Sequence, residues 1–332
     1  MSRWGGGGVA LSALLLAAPA DQASPAPLRL AIYYGYPSLV NNAQGDVDRA
    51  VAVFADYDAI VFGDGLEFPT LGLGAGPQEH EFTRTLIQRL RLTARRPLIF
   101  GYIDLGLSQS LPIDMIVDRI DRWGAMGAGG VFLDEAGFDF GVTRQRQNAA
   151  VTAAHARGLS VILNSFRPED VFSATPTPLN AAGGGNPSGL EPALTAIDAI
   201  LLESFVVRNG VPETVDALVE RTRAAIAGRE RFGTRIAAIS TAGDARVDSP
   251  LMPYAWWVAA VCGLDANGWG TPHFGADAST LPWVPRPEEE ATLARAHFLG
   301  DLVTDNGRGY RQTTAGTIVV DSTTRQGALA LR

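Results

Sequence analysis

The sequence predicts an α/β fold, a (β/α)8 TIM barrel with a small C-terminal β addendum. Three observations predict it. Apolar runs of strand length alternate with runs of helix length over roughly 250 residues, the usual size of such a barrel. Several strands are continuously apolar, as strands covered on both faces are. Several then end in a polar group: Leu133 runs into Asp134 and Glu135, Leu163 into Asn164, and Leu202 into Glu203. Desolvating a lone carboxylate costs several kcal/mol, so such residues do not serve packing. Parallel barrels carry their chemistry at that end of the strands. No Gly-x-Gly-x-x-Gly turn follows the first strand, which argues against an open dinucleotide-binding sheet.

The elements follow in order. Arg3, the apolar stretch Val9 to Ala18 and the small residues Ala18-Pro19-Ala20 predict a secretory signal peptide, with a Pro-rich linker completing residues 1–27. The barrel is expected over 28–300. Its strands are predicted at Leu28 to Tyr34, Asp58 to Phe62, Pro97 to Ile103 and Gly130 to Leu133, and then at Leu159 to Leu163, Ala199 to Leu202, Arg235 to Ile239 and Ala266 to Trp269. Helices are predicted between them at Asp46 to Ala55, Glu79 to Leu92, Pro112 to Met126, Thr143 to Ala156, Pro212 to Ala227 and Pro253 to Cys262. The Gly/Pro/Asn-rich stretch Thr175 to Gly189 is too long for a mere connector. Glu288 to Leu299 reads as a further helix. Thr317 to Asp321 and Ala328 to Leu331 read as a β-hairpin within residues 301–332.

Composition narrows the function. The 332 residues are 46% hydrophobic and 19% charged, enough for a large core. Lys and Arg number 27 against 35 acids, a net charge of −8, and no basic stripe is present, so nucleic acid is not an expected partner. The apolar N-terminal stretch is too short to span a membrane, so no transmembrane helix is expected in the mature chain. The protein is expected to be exported, to the periplasm, the envelope or the exterior. Cys262 is the single cysteine and forms no intrachain disulfide. His80, His155, His273 and His297 lack metal-ligand spacing, no Gly-x-Ser-x-Gly elbow occurs, and Gly183-Gly184-Gly185 lacks the Lys of a phosphate loop. No cofactor or metal is expected.

In a barrel the strand ends converge. They offer Tyr34 and Tyr36, Asp64 with Glu67, Asp104, Asp134 with Glu135, Asn164, Glu203, Ser240 with Asp244, and Trp269 with His273. Acids and amides hydrogen-bond hydroxyls, and aromatic faces stack on sugar rings, so the collection suits a glycan. Glycoside hydrolysis needs one acid to protonate the leaving oxygen and a second carboxylate to activate water or attack the anomeric carbon. Asp134, Glu135 and Glu203 are the candidate catalytic residues. Tyr34, Tyr36, Asp64, Asp104, Asn164 and Trp269 are the candidate substrate-binding residues. Adjacent strand residues face opposite ways, so one of Asp134 and Glu135 is expected to point away unless the strand has already ended. Two other readings stand beside this one. Asp134, Asn164 and Glu203 would suit Mg²⁺ or Ca²⁺ as oxygen ligands, and a non-catalytic barrel would bind carbohydrate without cleaving it. Trp256 and Trp257, in apolar helical sequence, read as core.

The motifs also occur in a recognisable order: Tyr33-Tyr34-Gly35-Tyr36-Pro37, Gly101-Tyr102-Ile103-Asp104, Val131-Phe132-Leu133-Asp134-Glu135, Leu163-Asn164-Ser165 and Glu203-Ser204-Phe205. Over Leu28 to Phe205 the chain resembles the spherulin-four-like glycoside hydrolases and, more distantly, the endo-α-1,4-polygalactosaminidase group. The resemblance implies a barrel acting on α-1,4-linked galactosamine or N-acetylgalactosamine in an exopolysaccharide. It maps the family's Asp-Glu pair onto Asp134 and Glu135 and its later acid onto Glu203, and it favours Asp134 over Glu135. The chain departs from the pattern at Phe62-Gly63-Asp64-Gly65, at Asp104 and in the long loop before Glu203.

Overall fold

The computed structural model describes residues 24–70, 74–243, 249–271, 280–282 and 286–331. The predicted signal segment up to residue 23 lies outside them, as do Asp244, His273 and Trp283.

Eight parallel strands close into a barrel. They are β1 (Leu28–Tyr33), β2 (Ala59–Phe62), β3 (Leu98–Asp104), β4 (Gly130–Asp134), β5 (Ser160–Asn164) and β6 (Ala199–Glu203), followed by β9 (Arg235–Thr241) and β10 (Ala266–Gly270). Each pairs with the next, and β10 closes on β1 with Leu28 beside Ala266. A short antiparallel pair, β7 (Val207–Arg208) and β8 (Val211–Pro212), stands between β6 and β9. Every predicted strand is present. The β7–β8 hairpin was not predicted, although its Asn209-Gly210 turn is a strong hairpin signal.

The helices are α1 (Val47–Phe54), α2 (Pro77–Leu90), α3 (Ile113–Met126), α4 (Arg144–His155), α5 (Glu169–Phe172), α6 (Val215–Phe232), α7 (Leu251–Cys262) and α8 (Glu290–Leu293). Side-chain oxygens of Asp46, Thr143 and Thr214 accept the first free N–H groups of α1, α4 and α6, which fixes where those helices begin. The helix expected over Glu288 to Leu299 is only the single turn of α8; the chain then turns into a β-bridge at Phe298.

Side-chain alternation divides the barrel cleanly. Leu30, Ile32, Val61, Phe100, Phe132, Ile162, Leu201, Ala237 and Ile239 fill the interior. Their neighbours, among them Ile60, Phe62, Val131, Leu133, Val161, Ile200 and Leu202, face the helices in a second, larger core. The two layers are the period-two pattern of strands closed on themselves. Gly101 marks where the outer layer is tightest. Trp123 of α3 lies flat against its backbone, and an added methyl group would sit inside the indole ring. Gly101→Ala is therefore expected to destabilise the fold by about 3 kcal/mol, at the upper end of overpacking costs, read by denaturant unfolding.

The C-terminal part exceeds the predicted hairpin. Strands β11 (Val303–Asp305), β12 (Arg308–Thr313), β13 (Gly316–Asp321) and β14 (Gln326–Ala330) form a four-stranded antiparallel sheet. The sheet lies on α7, with Gly327 against the Trp257 side chain. Every residue of α7 except Pro253 is buried, because the barrel covers one side and this sheet the other. Trp256 and Trp257 are core residues, as expected.

Candidate active site

A cavity of about 320 Å³ opens at the C-terminal end of the barrel. Its lower wall is apolar, from Ile32, Phe132 and Leu201, and its polar lining includes Tyr34, Asp134, Asn164, Glu203, Arg208 and Thr241. The layering follows from strand parity. Phe132 and Leu201 point inward, so two residues later Asp134 and Glu203 point inward as well, one level nearer the mouth.

Asn164 joins the two acids. Its Nδ2 donates to Asp134 Oδ1 at 2.7 Å and to Glu203 Oε2 at 2.8 Å. The sum of those bonds, 5.5 Å, is the greatest separation the two carboxylate oxygens can have. Asp134 also accepts the backbone N–H of Glu135 at 2.9 Å and a hydrogen bond from Tyr102. Burial pushes the Asp134 carboxyl above its ordinary pKa, while the bonds from Asn164, Tyr102 and Glu135 oppose the rise. Burial also pushes Glu203 up; the Asn164 bond opposes this, the Asp134 charge adds to it, and Arg208 and Arg221 oppose it. The phenol of Tyr34, raised far above its usual value by burial and then by Asp134, stays neutral; it meets the Tyr102 ring edge-on at 5.2 Å. The Asn164 Oδ1 is buried without a hydrogen-bond partner among the described residues.

Of the nine candidates, the structure brings Tyr34, Asp134, Asn164 and Glu203 together and places the other five elsewhere. Glu135 follows the end of β4 with φ +51° and turns away from the cavity. Its carboxylate accepts the backbone N–H of Ser108 at 3.1 Å and the Ser108 hydroxyl, which ties down the loop after β3. Tyr36 is exposed on the rim. Asp64 pairs with Arg119 and accepts from Gln109 at 2.8 Å, and Glu67 holds the same arginine from a buried position. Asp104 is buried at the end of β3, its carboxyl pushed up to about 6 by burial and by the nearby Glu135 and Asp134 charges, but it does not line the cavity. Trp269 is buried among the outward-facing side chains, because alternation along β10 turns Ala266 inward and Trp269 toward the helices. Ser240, its partner in register, likewise faces outward and donates to Phe205 O at 2.6 Å.

Tyr102, Arg208, Asn209 and Thr241 were not among the candidates. Tyr102 was legible by parity, since it stands opposite Phe132 and two residues before Asp104. Thr241 was legible in the same way, two residues beyond the inward-facing Ile239 on β9, whereas Arg208 and Asn209 depend on the β7–β8 hairpin. The contrast between the adjacent acids gives a test. Glu135→Gln is expected to keep turnover within about tenfold of the unmodified protein, since only loop anchoring is weakened, whereas loss of a catalytic acid or base costs 10²- to 10⁴-fold. Steady-state kinetics on any cleaved substrate would show it.

No family model matches the chain, and no curated protein does. Among solved structures it is similar to the glycoside hydrolase domain of PelA from Pseudomonas aeruginosa, at 13% identity and a TM-score of 0.45 over 76% of this chain and 99% of that one. It is as similar to the carboxyl transferase domain of Rhizobium etli pyruvate carboxylase, at 11% identity and a TM-score of 0.44 over 78% of this chain and 43% of that one. A putative phosphonomutase from Burkholderia cenocepacia J2315 follows at 14% identity and 0.38, over 78% of this chain and 91% of that one. Likenesses this distant do not bear on activity.

Proposed function

We propose that the protein is an exported glycoside hydrolase that works with retention of configuration. The observation that carries this reading is the single Asn164 amide, which holds one oxygen of Asp134 and one of Glu203 within 5.5 Å of each other. Retaining enzymes place their two carboxyl groups about 5–5.5 Å apart, and inverting enzymes leave about 6.5–9.5 Å for a water. Asp134, with three hydrogen-bond donors on its carboxylate, is the nucleophile. Glu203, raised by burial and by the Asp134 charge, carries the proton. Glu203 gives that proton to the glycosidic oxygen as Asp134 attacks the anomeric carbon and the leaving sugar departs. Glu203 then takes a proton from water, which displaces Asp134 and frees the second sugar. Tyr102 and Asn164 hold the attacking carboxylate in place.

The spherulin-four-like resemblance directs the choice of substrate to an α-linked galactosamine or N-acetylgalactosamine exopolysaccharide. The test is sugar release from a panel of amino-sugar polysaccharides, acetylated and deacetylated, with the first-formed anomer followed by NMR. Release of the α-anomer from an α-linked polymer is the expected result, unaffected by a chelator. Release of the β-anomer would remove Asp134 from the nucleophile role. Binding without release would mark a carbohydrate-binding barrel.

A further inference from the structure

The cavity that holds two acids also holds a cation with no assigned task. Arg208 lines it, exposed, and its guanidinium has no hydrogen bond or ion pair among the described residues. Arg221, the other arginine near Glu203, is engaged through both terminal nitrogens. It donates to the Glu213 carboxylate at 2.9 and 3.1 Å and to the Glu203 carbonyl oxygen at 2.6 Å.

The backbone that carries Arg208 is held firmly. Asn209 and Gly210 both have positive φ, +49° and +77°, the turn that matches the twist of a two-residue hairpin. The N–H of Asn209 donates to Thr241 Oγ1 at 2.8 Å and that of Gly210 to Thr241 O at 2.9 Å, which fastens the turn to the end of β9. Val206 and Val207 are completely buried beneath it. Val206 has φ +76°, a costly conformation for a β-branched residue. A strained residue, a tight turn and two bonds to a barrel strand thus fix the stem of a side chain whose charged end is left unpaired.

We propose that Arg208 binds an oxyanion, a carboxylate or a sulfate ester, on the sugar unit next to the cleaved linkage. The site then takes an acidic glycan, such as a polymer in which amino sugars are joined to acidic units, and disfavours a wholly deacetylated, cationic one. This rests on the glycoside hydrolase reading above. A planar guanidinium meets such oxyanions with two parallel hydrogen bonds. The bland alternative is that Arg208 only offsets the charge of Asp134 and Glu203, in which case it would affect every substrate alike.

The experiment measures binding by calorimetry in the Asp134→Asn protein, alongside turnover by the unmodified protein. The probes are an alternating N-acetylgalactosamine–uronic acid oligosaccharide, its carboxyl-reduced neutral counterpart, and an O-sulfated form of that neutral chain. The acidic probes are expected to bind about 10- to 100-fold more tightly than the neutral one, the range for a hydrogen bond to a charged group. Adding Arg208→Gln should remove the preference, and Arg208→Lys should restore part of it. The stronger of the carboxylate and sulfate arms names the group. Equal binding of acidic and neutral probes, a preference that survives Arg208→Gln, or no binding of any acidic probe overturns the assignment. A preference that depends on Arg208, with no turnover by the unmodified protein, overturns the hydrolase reading and leaves the oxyanion site standing.

Discussion

Asp134→Asn is expected to lower glycan hydrolysis by about 10³-fold or more and to raise the stability of the folded protein at neutral pH. The first effect follows from the proposed chemistry. A neutral amide cannot form the covalent intermediate, and the remaining contacts bind substrate without opening a second route. Glu203→Gln should differ in kind. It removes the proton donor, so the loss should be about 10²- to 10⁴-fold for a sugar leaving group and much smaller for an aryl glycoside whose phenolate leaves unaided. If both variants lose the same factor on both substrates, the division of roles is wrong.

The stability effect has a definite sign. Burial holds the Asp134 carboxyl above its ordinary pKa of 3.8, so the folded state binds its proton more tightly than the unfolded chain does. The contribution of this group to stability is then fully present below the ordinary carboxylate range and is lost as pH rises through the folded value. An amide has no proton to lose. The variant should therefore match the unmodified protein at about pH 3 and exceed it at about pH 7. Thermal melts at the two pH values test this, and a variant less stable at pH 7 would show that Asn164 and Tyr102 more than compensate the burial of the charge.

Removal of residues 301–332 is the second large effect, and it is expected to abolish the folded state. The last four strands cover one whole side of α7, where Trp257, Val258 and Val261 are buried, and Ile318, Val320 and Leu329 belong to the same core. Exposing a large apolar side chain costs about 1.5–3 kcal/mol. Several such losses reach the 5–15 kcal/mol that holds a typical domain together. The shortened chain should lose its cooperative melt and bind a hydrophobic dye. A milder probe is Gly327→Leu, whose side chain would collide with Trp257. It should lower stability by about 3 kcal/mol while the sheet remains. A shortened chain that melts like the full one would make the sheet an independent appendage.

The barrel was legible because its signal is redundant. Eight apolar runs each repeat the same statement, and a strand such as Ala199–Glu203 announces both its burial and its end. The central site was legible for a related reason, since Asp134, Asn164 and Glu203 each close such a run. The misplaced candidates have different physical causes. Period-two alternation turns Trp269 toward the helices, whereas Glu135 lies just past the end of β4, where a left-handed backbone swings it onto the loop after β3. Asp64 and Tyr36 lie in loops, where no such rule applies. Arg208 was hidden because its hairpin is only two residues long on each side, too short for an apolar pattern to show. The full C-terminal sheet was missed on a similar ground, since Arg308–Thr313 is mostly polar and half-exposed and does not read as a strand.

The Asn164 amide has a consequence for how the site responds to acid. One nitrogen serves both carboxylates, so a proton gained by either weakens its hold on that nitrogen and changes what the other feels. Two groups so linked influence each other's titration, the Asp134 charge raising Glu203. The limb of an activity profile that reports Glu203 would then depend on the charge of Asp134 as well. A change at Asn164, which carries no charge of its own, would move both limbs at once.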